Sequence, residues 1–162
     1  MEILITNRLA EGTVTSIWVE LPCTGDEFDE ALNSIGIRDI DDENWFISKV
    51  QDTDLDYAPI LRIRPSLSDL NEWAYCEENY SDVARAISEV DGIHNVDRHE
   101  CRNRTFLYGV NDTDELGHRI VDEGFFPCEI PSELEDYLDY ERIGMSWEEE
   151  GNYSSEGFLM NW

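Results

Sequence analysis

The chain has 162 residues, 41% of them hydrophobic and 11% aromatic, which suffices for a core and is too apolar for a disordered acidic tail. Its 38 acids against 11 bases leave a formal charge of −27. That charge excludes direct binding to nucleic acid or anionic membranes and points to a basic partner surface. The acid is unevenly spread: residues 1–60 hold 14 acids and three bases, residues 61–108 nine and six, residues 109–162 fifteen and two. Two anionic ends flank a nearly balanced middle, so at least two separate acidic surfaces are expected. No basic start precedes a long apolar stretch, and no apolar run approaches about 18 residues. A soluble, cytoplasmic protein is expected. Cys23, Cys76, Cys101 and Cys128 lack any Cys-x-x-Cys spacing and read as four free, mostly buried thiols.

In chain order, residues 3–6 read as a short strand and residues 7–12 as its turn. Residues 13–21 alternate, with Thr15, Ile17, Val19 and Leu21 on one side and Val14, Ser16, Trp18 and Glu20 on the other, which predicts a strand. Phe28, Ala31, Leu32 and Ile35 then recur at helical spacing, behind acids that suit a helix N-terminus and ahead of Gly36 as a stop. An acidic loop at 39–44 leads to a third strand at 45–50. Residues 66–78 and 82–90 read as two helices, the first opened by a capping-box pair, Ser66 and Asp69. Residues 93–104 fit no single pattern. A strand at 105–110, a helix from Asp112 to Gly124 and a closing strand within 153–162 complete an α+β chain. Its expected divisions are 1–61, an acidic antiparallel sheet with a helix; 62–104, mainly helical; and 105–162, α+β.

Residues 130–144 carry the strongest local signal. Pro131 precedes a candidate N-cap, Ser132, and Glu135 three residues later completes a capping box. Leu134, Tyr137 and Leu138 form an apolar stripe at helical spacing. Glu133, Glu135, Asp136, Asp139 and Glu141 fall largely outside it, offset only by Arg142. Like charges at i,i+4 cost about 0.2–0.5 kcal/mol per pair, so such a face points to something outside the chain.

Other chemistry finds less support. Asp112, Asp114, Gly117 and Glu123 occupy an EF-hand register, but Leu116 stands at a ligand position and Arg119 at the apolar anchor. The Asp52, Asp54 and Asp56 run fails at Tyr57, where glycine is needed. His94, His99 and Cys101 match no zinc spacing. No phosphate loop, Gly-x-Ser-x-Gly elbow or His-Glu-x-x-His is present, and no enzyme, metal or cofactor is expected. The alternatives are a solvated acidic face, adaptation to high salt, which one lysine, Lys49, against ten arginines fits, and an acidic interaction domain that binds another basic protein.

The block Tyr137-Leu138-Asp139-Tyr140-Glu141, behind Pro131 and closed by Gly144, resembles the signature of the ArdA antirestriction proteins. Glu11-Gly12, Ile17-Trp18 and Leu21-Pro22 resemble that family's amino-terminal pattern, so the likeness touches both ends of the chain. The family usually continues with Arg-Asp after the signature glycine, where this chain has Met145-Ser146. The resemblance implies an elongated protein of three small domains that pairs into a two-fold dimer imitating a long bent duplex. It implies inhibition of type I restriction-modification enzymes by occupying the DNA path of their specificity and methyltransferase subunits, without a cofactor. Carried over, Asp26, Glu27, Asp29, Glu30, Asp39, Asp41, Asp42, Glu43, Asp112, Asp114, Glu115, Glu133, Glu135, Asp136, Asp139 and Glu141 act as phosphate surrogates. Tyr137, Leu138 and Tyr140 help to build the dimer region. Duplex DNA carries one charge per about 1.7 Å of axis. Carboxylates at i, i+3 and i+4 of a helix stand about 5–6 Å apart at Cβ, comparable with phosphates along one strand.

Overall fold

The structure, a computed structural model, describes residues 1–8, 16–38, 44–53, 55, 61, 64–126, 128 and 130–161. Strand β1, Glu2–Asn7, alternates as its sequence demands: Ile3 and Ile5 are fully buried, while Glu2, Leu4 and Thr6 are only partly covered. It lies between β2 (Ser16–Glu20) and β3 (Trp45–Gln51), antiparallel to both, in the order β2-β1-β3. The register sets Ile3 opposite Val19 and Val50, and Ile5 opposite Ile17 and Ile47, so the apolar side chains share one face. On the other face the Thr6 hydroxyl lies 2.8 Å from those of Ser16 and Ser48. Helix α1, Gly25–Ser34, contributes Phe28 and Leu32 to the apolar face, with Phe28 edge-on to Trp45 at 5.9 Å. Gly36, at φ +86°, takes the chain out of the helix through a conformation that side chains resist. Residues 39–43 of the expected acidic loop lie outside the described residues, as do 13–15 of the expected second strand.

The expected pair of helices is one kinked helix, α2, Leu67–Val90. Ser66 and Asp69 make the capping box that the sequence announces. The path breaks only at Tyr80 (φ −144°, ψ 40°). Just before it, the Asn79 amide donates back to the Tyr75 carbonyl at 2.9 Å, and the Tyr80 hydroxyl accepts from Arg102. Both halves bury residues in one cluster, Trp73 and Cys76 before the kink and Ala84 and Ile87 after it, so shared burial carries the helix across. The stretch that fits no single pattern is a 3-10 turn, Ile93–Asn95, and a short helix α3, Arg98–Asn103, capped by Asp97.

A second antiparallel sheet, in the order β4-β6-β5, joins β4 (Phe106–Tyr108), β5 (Gly151–Ser154) and β6 (Gly157–Met160). The single closing strand expected near the C-terminus is thus a hairpin. Its turn is pinned to α2: Ser155 donates to the Glu89 carboxylate from backbone and hydroxyl, and Glu156 pairs with Arg85. Every residue of β6 is buried, because both faces of the sheet are covered. Leu159 joins the cluster that holds the first sheet and α2, while Phe158 and Met160 join a second cluster with Leu107, Leu116 and Ile120. Strand alternation therefore divides one strand between two cores. Arg104 adds a tie, donating to the Met160 carbonyl and pairing with Asp91.

The second cluster is closed by helix α4 (Thr113–Asp122) and by the signature region, which departs from the single helix expected over residues 130–144. After one turn of α5, Ser132–Glu135, the helix stops; it resumes as α6, Tyr140–Trp147. Pro131 is the N-cap residue of α5, and the Ser132–Glu135 capping box is not made. Asp139 caps α6 instead, accepting from the Arg142 backbone N–H at 3.1 Å. The expected apolar stripe is not a core face: Leu134 is 52% and Tyr137 82% exposed. Burial is decided further along, where Gly144 of α6 meets α4. A Cβ on Gly144 would lie 1.8 Å from the Thr113 carbonyl oxygen, and one on Gly117 would lie 1.9 Å from that of Tyr140.

Candidate partner-binding surface

The carboxylates are placed by ordinary helix chemistry and then left facing outward. On α1, Asp26, Glu27, Asp29 and Glu30 are all exposed. Glu27 has a second duty, since its Oε2 accepts from the backbone N–H and hydroxyl of Thr24, each at 2.8 Å. Those bonds hold its carboxyl below the ordinary carboxylate range, the backbone N–H foremost. Asp39, Asp41, Asp42 and Glu43 lie outside the described residues.

Asp112, Asp114 and Glu115 are exposed at the start of α4. Asp112 caps the helix by accepting from the Glu115 backbone N–H at 2.9 Å, and the Glu115 carboxylate accepts from the Asn111 N–H at 2.7 Å. Asp114 faces His118 across 3.7 Å. The EF-hand register is helical through residues 113–122 and is no calcium loop. Glu133, Glu135, Asp136, Asp139 and Glu141 are exposed as well. None of Asp26, Asp29, Glu30, Glu133, Glu135, Asp136 or Glu141 pairs with a described cation. Three arginines of the middle region are engaged inside the molecule, Arg85 with Asp82 and Glu156, Arg98 with Glu72, and Arg104 with Asp91.

The fold assembles more of this surface than the motif suggests. Glu135, Asp136 and, from α4, Asp122 all act electrostatically on the Tyr140 hydroxyl. Desolvation and then these charges push its pKa up from the ordinary tyrosine value. Tyr140 also stacks on His118, ring centres 3.7 Å apart, so it fastens α6 to α4. At the other end of α4, Glu148 accepts from the Thr113 hydroxyl at 2.8 Å and from Tyr153 at 3.3 Å. It belongs to an exposed run, Glu148-Glu149-Glu150, which the sequence displays openly but which lies outside the signature. Asp122 carries no sequence signal; only packing brings it to the signature.

Of the residues assigned to pairing, Tyr137 stands free, Leu138 is half-buried, and Tyr140 is half-buried against His118. His99 is exposed while Cys101 is buried beside Cys76, so the two do not form a shared site. Hydrogen bonding to Cys76, together with burial, pushes the Cys101 thiol up. Cys76 and Cys101 are buried, Cys23 is half-buried and Cys128 is exposed. Among the described residues, no group of three or more His, Cys, Asp or Glu side chains is arranged to hold a metal ion. No described helix is long and apolar enough to cross a membrane.

Comparison with curated proteins gives no match. Comparison with protein families gives one, described as Antirestriction protein (ArdA), over residues 7–159. That span takes in β2, β3, helices α1 to α6 and the second sheet as far as Leu159, with every acidic group of the candidate surface, and leaves out all of β1 but Asn7. The chain belongs to the ArdA family of antirestriction proteins.

Proposed function

We propose that the chain is a non-enzymatic mimic of B-form DNA that occupies the DNA groove of type I restriction-modification enzymes, at their specificity and methyltransferase subunits. The family match over residues 7–159 carries this proposal. The exposed carboxylates of α1, α4 and the signature region support it physically, and none of those on α1 or in the signature region pairs with a described cation. A groove lined with Lys and Arg for phosphates is offered fixed carboxylates at helical spacing, with no base and no scissile backbone. Association should be fast and weakened by salt, because long-range attraction is screened beyond roughly 8–10 Å at ordinary ionic strength. Residues 1–61, 62–104 and 105–162 act in this proposal as successive segments along the imitated duplex. The acids at 26–30, 39–43, 112–115 and 133–141 stand for phosphates.

The test is a titration of purified protein into a type I restriction enzyme with its DNA, following DNA binding and ATP-dependent cleavage together. Stoichiometric loss of both, relieved by salt and not reproduced by an equally acidic unrelated protein, is the expected result. An equal effect from the acidic control would reduce the protein to a general polyanion or salt-adapted acidic domain. Pairing through Tyr137, Leu138 and Tyr140 predicts a homodimer. Light scattering at micromolar concentration should give twice the chain mass, and a Tyr137→Ser variant should move it toward the monomer. Monomeric wild type at all concentrations would remove that part.

A further inference from the structure

Charge imitation alone asks for carboxylates and water; it gives no use to a large aromatic side chain held in solvent. Trp18 is nevertheless 40% exposed on β2, an edge strand of its sheet. It borders a hollow of about 330 Å³ between β2 and α1 whose lining includes Val19, Leu21 and Ala31 together with the carboxylates of Glu20 and Glu27. That volume is at the low end of small-ligand clefts, roughly 300–1,000 Å³, a size suited to a single side chain. Glu20, Leu21 and Pro22 also line a larger neighbouring hollow of about 690 Å³, which adds the carboxylates of Asp52, Glu77 and Glu78. No described lysine or arginine lines either hollow.

An anion is repelled here, and a purely apolar group would strip water from Glu20 and Glu27 without compensation. An amphipathic cation satisfies every part of the lining: an aliphatic stem for the apolar floor and a charged head for the acids. Arginine suits it better than lysine, because a planar guanidinium stacks on an indole face and forks toward carboxylates, whereas an ammonium is a strongly hydrated point charge. Glu27 is already fixed for this purpose. Its bonds to Thr24 use Oε2 and leave Oε1 unengaged.

We propose that this hollow seats an arginine side chain of the protein partner, its stem along the apolar part of the lining and its guanidinium toward Trp18, Glu20 and Glu27 at the exposed rim. The partner's identity rests on the antirestriction proposal; the recognition of arginine does not. Trp18 then supplies an anchor of the kind that dominates many interfaces, surrounded by acids that steer and orient.

Two measurements on the full chain separate these levels. In the first, ¹⁵N-labelled protein is titrated with N-acetyl-arginine amide, its neutral citrulline counterpart and its lysine counterpart, following the Trp18 indole N–H, assigned by its loss in Trp18→Leu. A saturable shift of that signal with arginine, absent with citrulline and weaker with lysine, is expected. No selective shift at Trp18 overturns the proposal. In the second, Trp18→Leu, which keeps apolar bulk and so the fold, is compared with wild type as an inhibitor of a type I enzyme. About a tenfold loss of potency is expected, a typical effect for removing an anchor residue. Unchanged potency in a folded variant also overturns the proposal. If wild type inhibits no such enzyme while the arginine-selective shift persists, the antirestriction proposal falls and the arginine seat stands.

Discussion

Glu27 shows how a residue can serve the fold and the surface together. Its carboxylate closes the capping box of α1 and is drawn below the ordinary range by the Thr24 backbone N–H and hydroxyl. A depressed folded-state value means that folding favours the ionised form. Its contribution is therefore complete above the unfolded value, about 4.3 for glutamate, and is lost as pH falls through the lower folded value. Glu27→Gln should lower the melting temperature at pH 7, and the gap to wild type should close as pH drops below about 4.3. A gap of constant size down to strong acid would show that the charge is not what stabilises the cap. At α4 and α6 the N-cap residues themselves are acidic, Asp112 and Asp139 accepting from the backbone N–H of Glu115 and Arg142, so part of the anionic surface is built from helix caps.

Among the elements, the pair α4 and α6 is the tightest arrangement. Gly117 and Gly144 each face a carbonyl oxygen of the other helix at a distance no Cβ tolerates. Neither neighbour is a flexible side-chain tip that could swing aside; the helices themselves would have to part. Gly117→Ala and Gly144→Ala should each cost about 1–3 kcal/mol, the usual range for overpacking. For a chain of this length that corresponds to roughly 3–10 °C in melting temperature. Separating the helices also breaks the Tyr140–His118 stack and draws Glu135 and Asp136 away from Asp122. Melts of both variants by circular dichroism check this directly. Variants as stable as wild type would mean that the helices are not in backbone contact. The signature glycine is thus explained by packing, and the signature acids depend on it for their placement.

For the whole molecule the dominant quantity is −27 charges on 162 residues. Self-repulsion of that size opposes the compact state and is relieved by screening. The two apolar clusters, joined at β6, oppose it, with fully buried Ile, Leu and Phe side chains contributing roughly 1.5–3 kcal/mol each. The melting temperature should therefore rise as sodium chloride is added from low ionic strength to about 0.5 M, the range over which screening tightens to a few ångströms. A flat or falling response would show that the acids are already neutralised within the fold. The salt that stabilises the free protein should also weaken its hold on a basic partner, so the two salt dependences are expected to run in opposite senses.

The sequence by itself determined the α+β class, the strands of the first sheet, the α1 stripe of Phe28 and Leu32, and the Ser66–Asp69 cap, because period and capping are local properties. It also carried the family, through residues near 11–22 and 131–144. Local signals failed where contacts between distant segments decide the outcome. The Ser132–Glu135 box was legible yet unformed: α5 starts one residue earlier, with Pro131 as its N-cap, and lasts a single turn, and the side-chain cap is made at Asp139, on the helix that meets α4 through Gly144. The break expected between residues 78 and 82 survives only as a kink, because both halves of α2 are buried in the same cluster. The terminal stretch folds into a hairpin because α2 holds its turn through Arg85 and Glu89. Acids could be counted in the sequence and their exposure anticipated, since carboxylates without partners go to water. Which of them stand together, as Asp122 does with Glu135 and Asp136, depends on helices far apart in the chain touching, and only the tertiary structure decides that.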